Sequence, residues 1–502
     1  MKLMQLLPPD QNRCQSKSAQ KQGRFGPLFV LSILIAGLTN LLLLSQPISA
    51  QTGAYCELTP EEIARKARLR QAAINGDNDD WKRYEEMIEK HAQQLQDCRS
   101  RTWPREQAIW VRLYPCDSKP GMLDVVMDRV VNRGYNQVNV EVFYDGRVLL
   151  PAKENSTPWP SVIRTPGTGD VDLLEMAIQK GRDRGLKVYA WMFTMNFGYT
   201  YAQRPDRQQV IARNGKGHST VNKEGTQVFI DPYSNQAKQD YSRLLQAVLR
   251  RRPDGVLFDY IRYPRGTGPE SVAAKVQDLW IYGDAAREAL LRRALNQKGF
   301  ALIQQFLSKG HISASDLAAV DRRFPNEKEP LWQGRHPAAI KAVQHQTVLQ
   351  AELWQLSVAH ALQGILDFLK GASGLVQQRG ISSGVVFFPD ANRAVGKGFD
   401  SRLQPWDRFP GSLEWHPMAY GVCGNNDCIV NQVRKVVRQA PAGTQIKPAL
   451  AGVWGRSIRN RPALEQQMQA IRRATPRVNA LSHFAYSWQE PHHDQQRKFC
   501  RL

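Results

Sequence analysis

The side chains best suited to chemistry in this chain are acidic residues that lie in or just after short apolar runs. Asp259 follows GVLF, Asp390 follows GVVFFP, and Glu141 lies inside QVNVEVF. Two carboxylates that flank a glycosidic bond can hydrolyse it, because one protonates the leaving oxygen and the other attacks or activates water. We take Asp259 as the nucleophile or base, and either Asp390 or Glu141 as the acid.

Residues suited to binding a sugar accompany these carboxylates. Aromatic rings stack on the apolar faces of sugars, while amide, imidazole and guanidinium groups bond to the hydroxyls. No Ser-His-Asp order and no activated cysteine arrangement is evident in the sequence. The predicted substrate-binding residues are Trp191, Asn196, Arg262, Tyr263, His416, Tyr420, Trp454 and Trp488.

Each of these assignments has a structural alternative. Asp259 could form a buried ion pair with Arg262 or with an arginine of a neighbouring strand. His416 lies inside an apolar run, where a histidine is more often an interior residue with satisfied hydrogen bonds. The three tryptophans could simply pack in the core. These alternatives remain open at the level of sequence.

The apolar runs themselves predict the elements that position these residues. Short β-branched or aromatic segments alternate with amphipathic helical segments that end in glycine, which is typical of a parallel sheet covered on both faces. Eight such units predict an α/β fold, a (β/α)8 barrel over residues 105–502, with working residues at the C-terminal ends of the strands. A doubly wound open sheet is the alternative, but no Gly-rich phosphate loop follows the first strand. The predicted strands are 109–115, 137–143, 187–193, 255–261, 384–388, 415–420, 447–454 and 482–488.

Two helical additions to the barrel are predicted. Residues 51–104 read as a helical hairpin, whose first helix begins at a Thr59 cap with Pro60 in its first turn and Glu62 completing a capping box. The connection between the fourth and fifth strands, about 265–380, is rich in helical patterns. We expect it to contain the usual barrel helix and a helical insertion.

The N-terminal segment 1–50 has the pattern of a secretory signal. A basic start precedes an uncharged apolar run at 28–44, and the small residue Ala50 allows cleavage before Gln51. An uncleaved signal anchor is the alternative, since the run is close to the length that spans a bilayer. Either alternative predicts export to the periplasm or cell envelope, with membrane contact only through this segment if it is retained.

Cysteine usage agrees with export. Seven cysteines are present, and one falls in the N-terminal segment, which leaves an even six that favour disulfides. The hairpin would bring its ends together, barrel closure would place the first and last strands side by side, and one pair lies close in a Gly/Asn-rich loop. A zinc site would need tighter paired spacings and nearby histidines, so we expect no metal. The predicted pairs are Cys56–Cys98, Cys116–Cys500 and Cys423–Cys428.

The charge balance bears on the choice of partner. The net charge is +22, but the basic residues are scattered, with no long basic run interleaved with aromatics. We therefore do not expect nucleic-acid binding, because it needs a basic face or stripe. A carbohydrate polymer is the expected partner, and the positive charge would favour an anionic one by electrostatic steering. We expect no cofactor.

One long segment resembles a known family. Residues 229–264 are similar to the signature of the bacterial glycoside-hydrolase-like family 10 proteins, and weaker similarity extends over about 105–490. Tyr260 departs from the pattern, since a second acidic residue often follows the position of Asp259, which puts a paired-carboxylate role at this strand in question. We expect Asp231 to cap the following helix rather than bind substrate. The matching residues are Asp231, Pro232, Asp254, Gly255, Asp259, Tyr263 and Pro264.

Two functions follow from these observations. The resemblance and the carboxylates suggest a glycoside hydrolase that acts on a polysaccharide or envelope glycan. The alternative is a non-catalytic glycan-binding or wall-scaffolding protein, because a barrel fold does not by itself imply catalysis.

Overall fold

The protein is built around a closed ring of eight parallel strands, which confirms the predicted (β/α)8 barrel. The computed structural model describes residues 55–76, 78–144, 146–220, 227–336 and 345–501, so the predicted signal segment lies outside the described residues. The barrel strands are β1 (Glu106–Val111), β2 (Gln137–Tyr144), β3 (Lys187–Phe193), β4 (Gly255–Asp259), β5 (Ser382–Phe387), β6 (Glu414–Ala419), β7 (Ala449–Ala451) and β8 (Ala480–Phe484).

Closure of the ring is visible in the register of β1. Ile109 lies opposite Val138 of β2 on one side and opposite His483 of β8 on the other. A two-residue strand, Arg147–Val148, pairs with the end of β2 in antiparallel orientation. A separate small antiparallel sheet is not part of the barrel. The strands of that small sheet are Val272–Ala273, Ala394–Val395 and Gly398–Asp400.

Several predicted strands end earlier in the structure than in the sequence pattern. β4 ends at Asp259 because Tyr260 has a φ of 55°, which takes the chain out of extended conformation. β7 has three residues and begins after Pro448, which has no N–H to donate to a neighbouring strand. Trp488 lies in a short helix after β8 rather than in the strand. Apolar composition therefore predicted the strands but not their limits.

Helices surround the barrel. Pairing of a buried strand with an amphipathic helix after it covers the outer face of the sheet. The helices are α1 (Pro60–Ile74), α2 (Asn78–Arg101), α3 (Met122–Asn132), α4 (Leu173–Asp183), α5 (Tyr199–Ala202), α6 (Asn235–Arg250), α7 (Asp284–Leu291), α8 (Gln297–Lys309), α9 (Ala314–Arg323), α10 (His345–Gln377), α11 (Asp427–Gln439), α12 (Leu464–Ala474), α13 (Tyr486–Gln489) and α14 (Pro491–Lys498). Short 3-10 turns occupy Pro115–Ser118, Pro205–Val210, Gly268–Ser271, Val276–Asp278 and Trp406–Arg408. No helix in the described ranges is long and apolar enough to cross a membrane.

The N-terminal helices α1 and α2 pack on the barrel through buried charges. The Asp128 carboxylate of α3 accepts hydrogen bonds from Arg184 Nε at 2.9 Å and from the Tyr84 hydroxyl at 2.8 Å. Arg70 of α1 also donates to Asp128 at 2.6 Å. At the start of α1, Thr59 and Glu62 form the predicted capping box. The hairpin is thus bound to the barrel by an ion-pair network as well as by apolar contact.

The connection after β4 contains α7 to α10 and corrects one prediction. Asp231 does not cap α6, whose N-cap is Ser234. Its Oδ2 atom accepts from the backbone N–H of Ala286 in the first turn of α7, and its Oδ1 atom accepts from Tyr233 N, both at 2.9 Å. The close approach at Gly283, where a Cβ would lie 2.7 Å from Asp231 Oδ2, leaves room for this cross-connection.

All three predicted cysteine pairs form disulfides. The Cα–Cα distances are within the usual range for disulfides, and the pairs bridge the hairpin, the barrel seam and a surface loop. Three disulfides point to an oxidising compartment. The pairs and distances are Cys56–Cys98 at 5.7 Å, Cys116–Cys500 at 5.5 Å and Cys423–Cys428 at 6.1 Å.

Candidate active site

Asp259 lies at the barrel mouth, the end of the barrel formed by the C-terminal ends of the strands. It is the last residue of β4, and its side chain is 6% exposed. The Trp191 indole donates to Asp259 Oδ2 at 3.0 Å, and the Tyr260 N–H donates to Oδ1 at 2.6 Å. Burial raises the pKa of Asp259 to about 6, although these two hydrogen bonds and the charge of Arg262 act to lower it. Such a carboxyl can gain and lose a proton near neutral pH.

Arg262 lies three residues beyond Asp259 and is also 6% exposed. Its guanidinium carbon lies 4.7 Å from the ring centre of Tyr260, 5.4 Å from that of Phe229 and 5.6 Å from that of Phe388. Burial lowers the pKa of Arg262 to about 10. Among the described residues, Asp259 and Arg262 make no ion pair with each other. The structural alternative of a closed Asp259–Arg262 ion pair is therefore not what the structure contains.

Glu141 of β2 has a different environment. The Arg112 side chain donates to both of its carboxylate oxygens, through Nε to Oε2 and through Nη2 to Oε1 at 3.0 Å. Arg112 also stacks on the Tyr144 ring at 4.3 Å. Glu141 lies opposite Trp191 in the β2–β3 register, and the register shifts immediately after it. The Trp191 side chain, which reaches Asp259, thus comes from the position beside Glu141.

Asp390 follows β5 and lies against α11. Its Oδ2 atom accepts a hydrogen bond from Gln432 Nε2 at 3.2 Å, and the Gln432 side-chain oxygen accepts from Gly421 N at 3.0 Å. Asp390 is half-buried. These contacts tie the loops after β5 and β6 together, and they involve neither Asp259 nor Trp191.

Aromatic rings line the mouth around Asp259. The ring centre of Trp191 lies 5.8 Å from that of Phe193 and 6.1 Å from that of Phe484, and Tyr420 lies 5.9 Å from Phe484. Burial, and next the charge of Asp259, raise the pKa of Tyr420 well above its ordinary value. Sequence reasoning predicted Trp191 and Tyr420 but missed Phe193 and Phe484. Phe193 ends a predicted strand and could have been found by that position, whereas Phe484 lies inside the predicted strand 482–488 and ends it only in the structure.

Two predicted binding residues, Asn196 and Tyr263, lie buried away from this cluster. Asn196 is buried, and its Oδ1 atom accepts from Val228 N at 3.0 Å, so it holds the chain that leads to α6. Tyr263 is fully buried, and its hydroxyl donates to the carbonyl of Ala361 in α10 at 3.4 Å. These two residues shape the walls of the site without facing it.

The two remaining tryptophans differ from each other. Trp454 packs on Tyr55 and His483 at 5.1 and 5.3 Å, and its indole donates to the Tyr135 hydroxyl at 3.2 Å. His483 is fully buried, so Trp454 belongs to the packing between β8 and Tyr55, which precedes α1. Trp488 is half-buried on α13, with the Arg459 guanidinium 5.4 Å from its ring centre.

His416 belongs to the opposite end of the barrel. It is fully buried, and its Nε2 atom lies 3.2 Å from Glu414 Oε2. Glu414 also accepts from the Tyr189 hydroxyl at 3.0 Å and pairs with Lys447 at 3.0 Å. Glu414 is the first residue of β6 and so lies at the N-terminal end of the strand. We call this group the basal cluster; its members are Glu106, Lys187, Tyr189, Glu414, His416 and Lys447.

Two surface clefts of the described residues lie elsewhere. One, of about 370 Å³, lies between the Cys423–Cys428 loop and α12, and the other, of about 520 Å³, lies between α7 and α8. Neither includes Asp259. No cluster of three His, Cys, Asp or Glu side chains suited to a metal ion occurs in the described part of the chain. At the mouth, the Asp259 carboxyl, the Arg262 guanidinium and several aromatic rings lie near one another.

Comparison with known proteins identifies no relative by sequence: no family model and no curated protein matches the chain. Among solved structures, it is similar to a β-galactosidase from the psychrophilic Marinomonas ef1, with 11% identity, 79% of this chain and 58% of that chain covered, and a TM-score of 0.45. A pneumococcal exo-β-D-N-acetylglucosaminidase module is 9% identical, with 78% and 83% covered and a TM-score of 0.40. A β-N-acetylhexosaminidase from Bacteroides fragilis is 10% identical, with 80% and 65% covered and a TM-score of 0.38. Likenesses at this level carry no argument about activity.

Proposed function

We propose that the protein is a glycoside hydrolase that acts on a polysaccharide or envelope glycan at the barrel mouth. The observation that carries this proposal is Asp259, a buried carboxyl at the C-terminal end of β4 whose pKa burial raises to about 6. The position is the one at which barrel enzymes carry their catalytic groups. Aromatic side chains beside it would stack on sugar rings. Export to the periplasm or cell envelope would give the enzyme access to such glycans.

The environments of two carboxyls support separate roles. Asp259 keeps its proton to a higher pH than an ordinary aspartate, so it suits the general acid that protonates the leaving oxygen. Glu141 is paired with Arg112 as an anion, which suits the group that attacks the sugar or stabilises positive charge on it. This assignment reverses the role expected for Asp259 from the sequence. Asp390 is the second candidate for the partner.

A non-catalytic glycan-binding protein is the second candidate function. Glu141 is 1% exposed, and both of its carboxylate oxygens are engaged by Arg112. A carboxylate held in this way would have to leave its partner to attack a sugar. If it does not, Asp259 and the aromatic rings would bind a glycan without cleaving it.

The test is a glycan array followed by product analysis on the mature protein. We expect wild-type protein to release reducing ends from at least one bound glycan, and Asp259→Asn to lower that rate by about 10³-fold or more, as loss of an acid catalyst does. Binding by the variant should persist. Asp367→Asn is the matched control, because Asp367 is exposed on α10.

The outcomes separate the two functions. Binding without release of reducing ends by the wild type favours the non-catalytic protein. Unchanged hydrolysis by the Asp259→Asn variant removes Asp259 from the mechanism and with it the observation on which the proposal rests.

A further inference from the structure

Arg262 is a buried cation whose hydrogen-bonding capacity is largely unused. A guanidinium carries five N–H donors, and in the described residues Arg262 makes one hydrogen bond, from Nη1 to the carbonyl oxygen of Tyr263 at 2.9 Å. None of its other nitrogen atoms is both fully buried and without a hydrogen-bond partner. These nitrogen atoms therefore keep some solvent access, although Arg262 as a whole is only 6% exposed.

The charges close to Arg262 do not neutralise it. Arg402 lies on the same Phe388 ring, at 4.8 Å, and is itself positive. Asp400 is committed to Arg402 through two hydrogen bonds of 2.7 Å, from Nε and from Nη2. Asp259 exerts an attraction on Arg262 without making an ion pair with it. Stacking on aromatic rings offsets part of the cost of burying the cation, but the donors remain available.

The donors of other buried arginines are occupied: Arg99 donates to three backbone carbonyl oxygens and one side-chain oxygen, and Arg184 and Arg497 pair with carboxylates. Arg184 bonds Asp128 at 2.9 Å, and Arg497 bonds Asp117 at 2.6 and 2.8 Å. A charged group is costly to bury unless an opposite charge or hydrogen bonds compensate it. Arg262 thus differs from these arginines, and it lies near Asp259, a carboxyl that also makes no ion pair in the described residues. In the described ranges of the chain, no carboxylate forms an ion pair with Arg262.

We propose that the barrel mouth takes an acidic glycan, and that Arg262 binds the carboxylate or sulfate substituent of the sugar that lies over Asp259. The inference rests on the proposed function, since it names the substrate class at the same site. Arginine suits this role because its planar fork matches both carboxylate and sulfate oxygens in a bidentate way. The three aromatic rings hold the guanidinium in place before the glycan arrives.

Binding of the acidic group would also act on Asp259. The positive charge of Arg262 now helps to lower the pKa of Asp259. Once an anion neutralises Arg262, that effect is lost, and the anion adds repulsion of its own. The bound acidic sugar should therefore keep Asp259 protonated to higher pH, so that substrate binding itself prepares the general acid.

The test uses an array of neutral glycans and of glycans that carry uronic acids, sialic acids or sulfate esters, in 150 mM NaCl. We expect binding to be confined to the acidic glycans. Comparison of the carboxylated with the sulfated glycans will show which substituent the protein recognises. Isothermal titration with the best-bound glycan should show that Arg262→Gln loses at least about ten-fold in affinity. Arg262→Lys should be intermediate, because an ammonium cannot bind in a bidentate way.

Arg393→Gln is the matched control, because it removes the same charge from an exposed residue and should change affinity less than two-fold. Circular dichroism and the urea midpoint of each variant will establish that it is folded. Equal binding of neutral glycans, no binding of any acidic glycan, or an unchanged affinity in a folded Arg262→Gln variant overturns the inference. Acidic binding without cleavage would refute the hydrolase alone, and cleavage of neutral glycans would refute the acidic specificity alone.

Discussion

The two ends of the barrel both bury charged side chains, but they treat them in opposite ways. In the basal cluster, Lys447 pairs with Glu106 at 2.6 Å and with Glu414 at 3.0 Å, and Lys187 pairs with Glu106 at 3.0 Å. At the mouth, Asp259 and Arg262 are each 6% exposed, about as buried as Lys447 and more so than Glu106 or Lys187, and they form no ion pair with each other. Charge is compensated at one end and uncompensated at the other, which distinguishes a structural region from the region that we propose binds substrate.

The pKa values express the same difference. Burial alone would raise the pKa of Glu414, but the hydrogen bond to His416 and the Lys447 ammonium lower it to about 2. Burial also lowers the pKa of His416, so the imidazole is neutral at pH 7 and Lys447 supplies the lasting positive charge. Asp259 has no such partner, and its pKa rises to about 6. A carboxyl stabilised as an anion holds the fold, whereas one that resists ionisation is ready for proton transfer.

The largest effect on stability is expected in the basal cluster. Glu414→Gln leaves Lys447 with less negative charge in a buried site, which should lower the free energy of unfolding by about 3 kcal/mol. Urea denaturation at pH 7 measures this, with exposed Glu270→Gln as the control. Because its folded pKa is depressed, Glu414 stabilises the fold above about pH 4.5, and this contribution is lost as the pH falls towards 2. A loss below 0.5 kcal/mol would show that the cluster is not structural.

Asp259→Asn should raise the free energy of unfolding at neutral pH, which is opposite to the effect of Glu414→Gln. The folded pKa of Asp259 is raised from 3.8 to about 6, so its contribution to stability is full below about pH 4 and is lost as the pH rises through 6. Relative to the variant, which does not titrate there, the wild type should lose up to about 3 kcal/mol between pH 4 and pH 7.5. Urea midpoints across this range provide the measurement. If stability depends on pH in the same way in both proteins, the pKa of Asp259 is not raised by folding.

Glu141 tests whether the mouth also contains a structural pair. Glu141→Gln removes the negative charge that pairs with Arg112 and should cost about 2 kcal/mol of stability. Hydrolysis should fall at least about 100-fold if Glu141 is the second carboxylate. Asp390→Asn is the matched comparison, because its amide oxygen can still accept from Gln432. We expect it to change stability by less than about 0.5 kcal/mol. Loss of activity in Asp390→Asn alone would transfer the partner role to Asp390.

The smallest effect is expected at Trp191. Trp191→Phe removes the indole hydrogen bond that favours the ionised form of Asp259, so the pKa of Asp259 should rise further, by about one unit. The pH at which stability changes, compared with the same variant in the Asp259→Asn background, would move upward accordingly. Trp110→Phe is a suitable control, because its indole donates to Ser482 instead. An unchanged or lower transition pH would show that Trp191 does not tune Asp259.

Much of the architecture could be predicted because it depends on local pattern. Apolar runs alternating with amphipathic helices specified the barrel, and Thr59, Pro60 and Glu62 specified the first helix. The cysteine pairs followed from which ends the hairpin and the barrel closure bring together. The position of Asp259 at a strand end was visible in the same way. The strands, the helices and the helix cap depend on residues a few positions apart, so they can be predicted directly from the sequence.

What only the tertiary structure decided is which charges have partners. Glu141 meets Arg112 across 29 residues of sequence, and Asp259 meets Trp191 across 68. The isolation of Arg262 depends on Asp400 having been taken by Arg402, in a loop more than a hundred residues further along the chain. The sequence predicted His416 as a binding residue, but the structure buries it inside the barrel, where it bonds to Glu414. Electrostatic compensation depends on distance in space, which the order of residues along a chain does not contain.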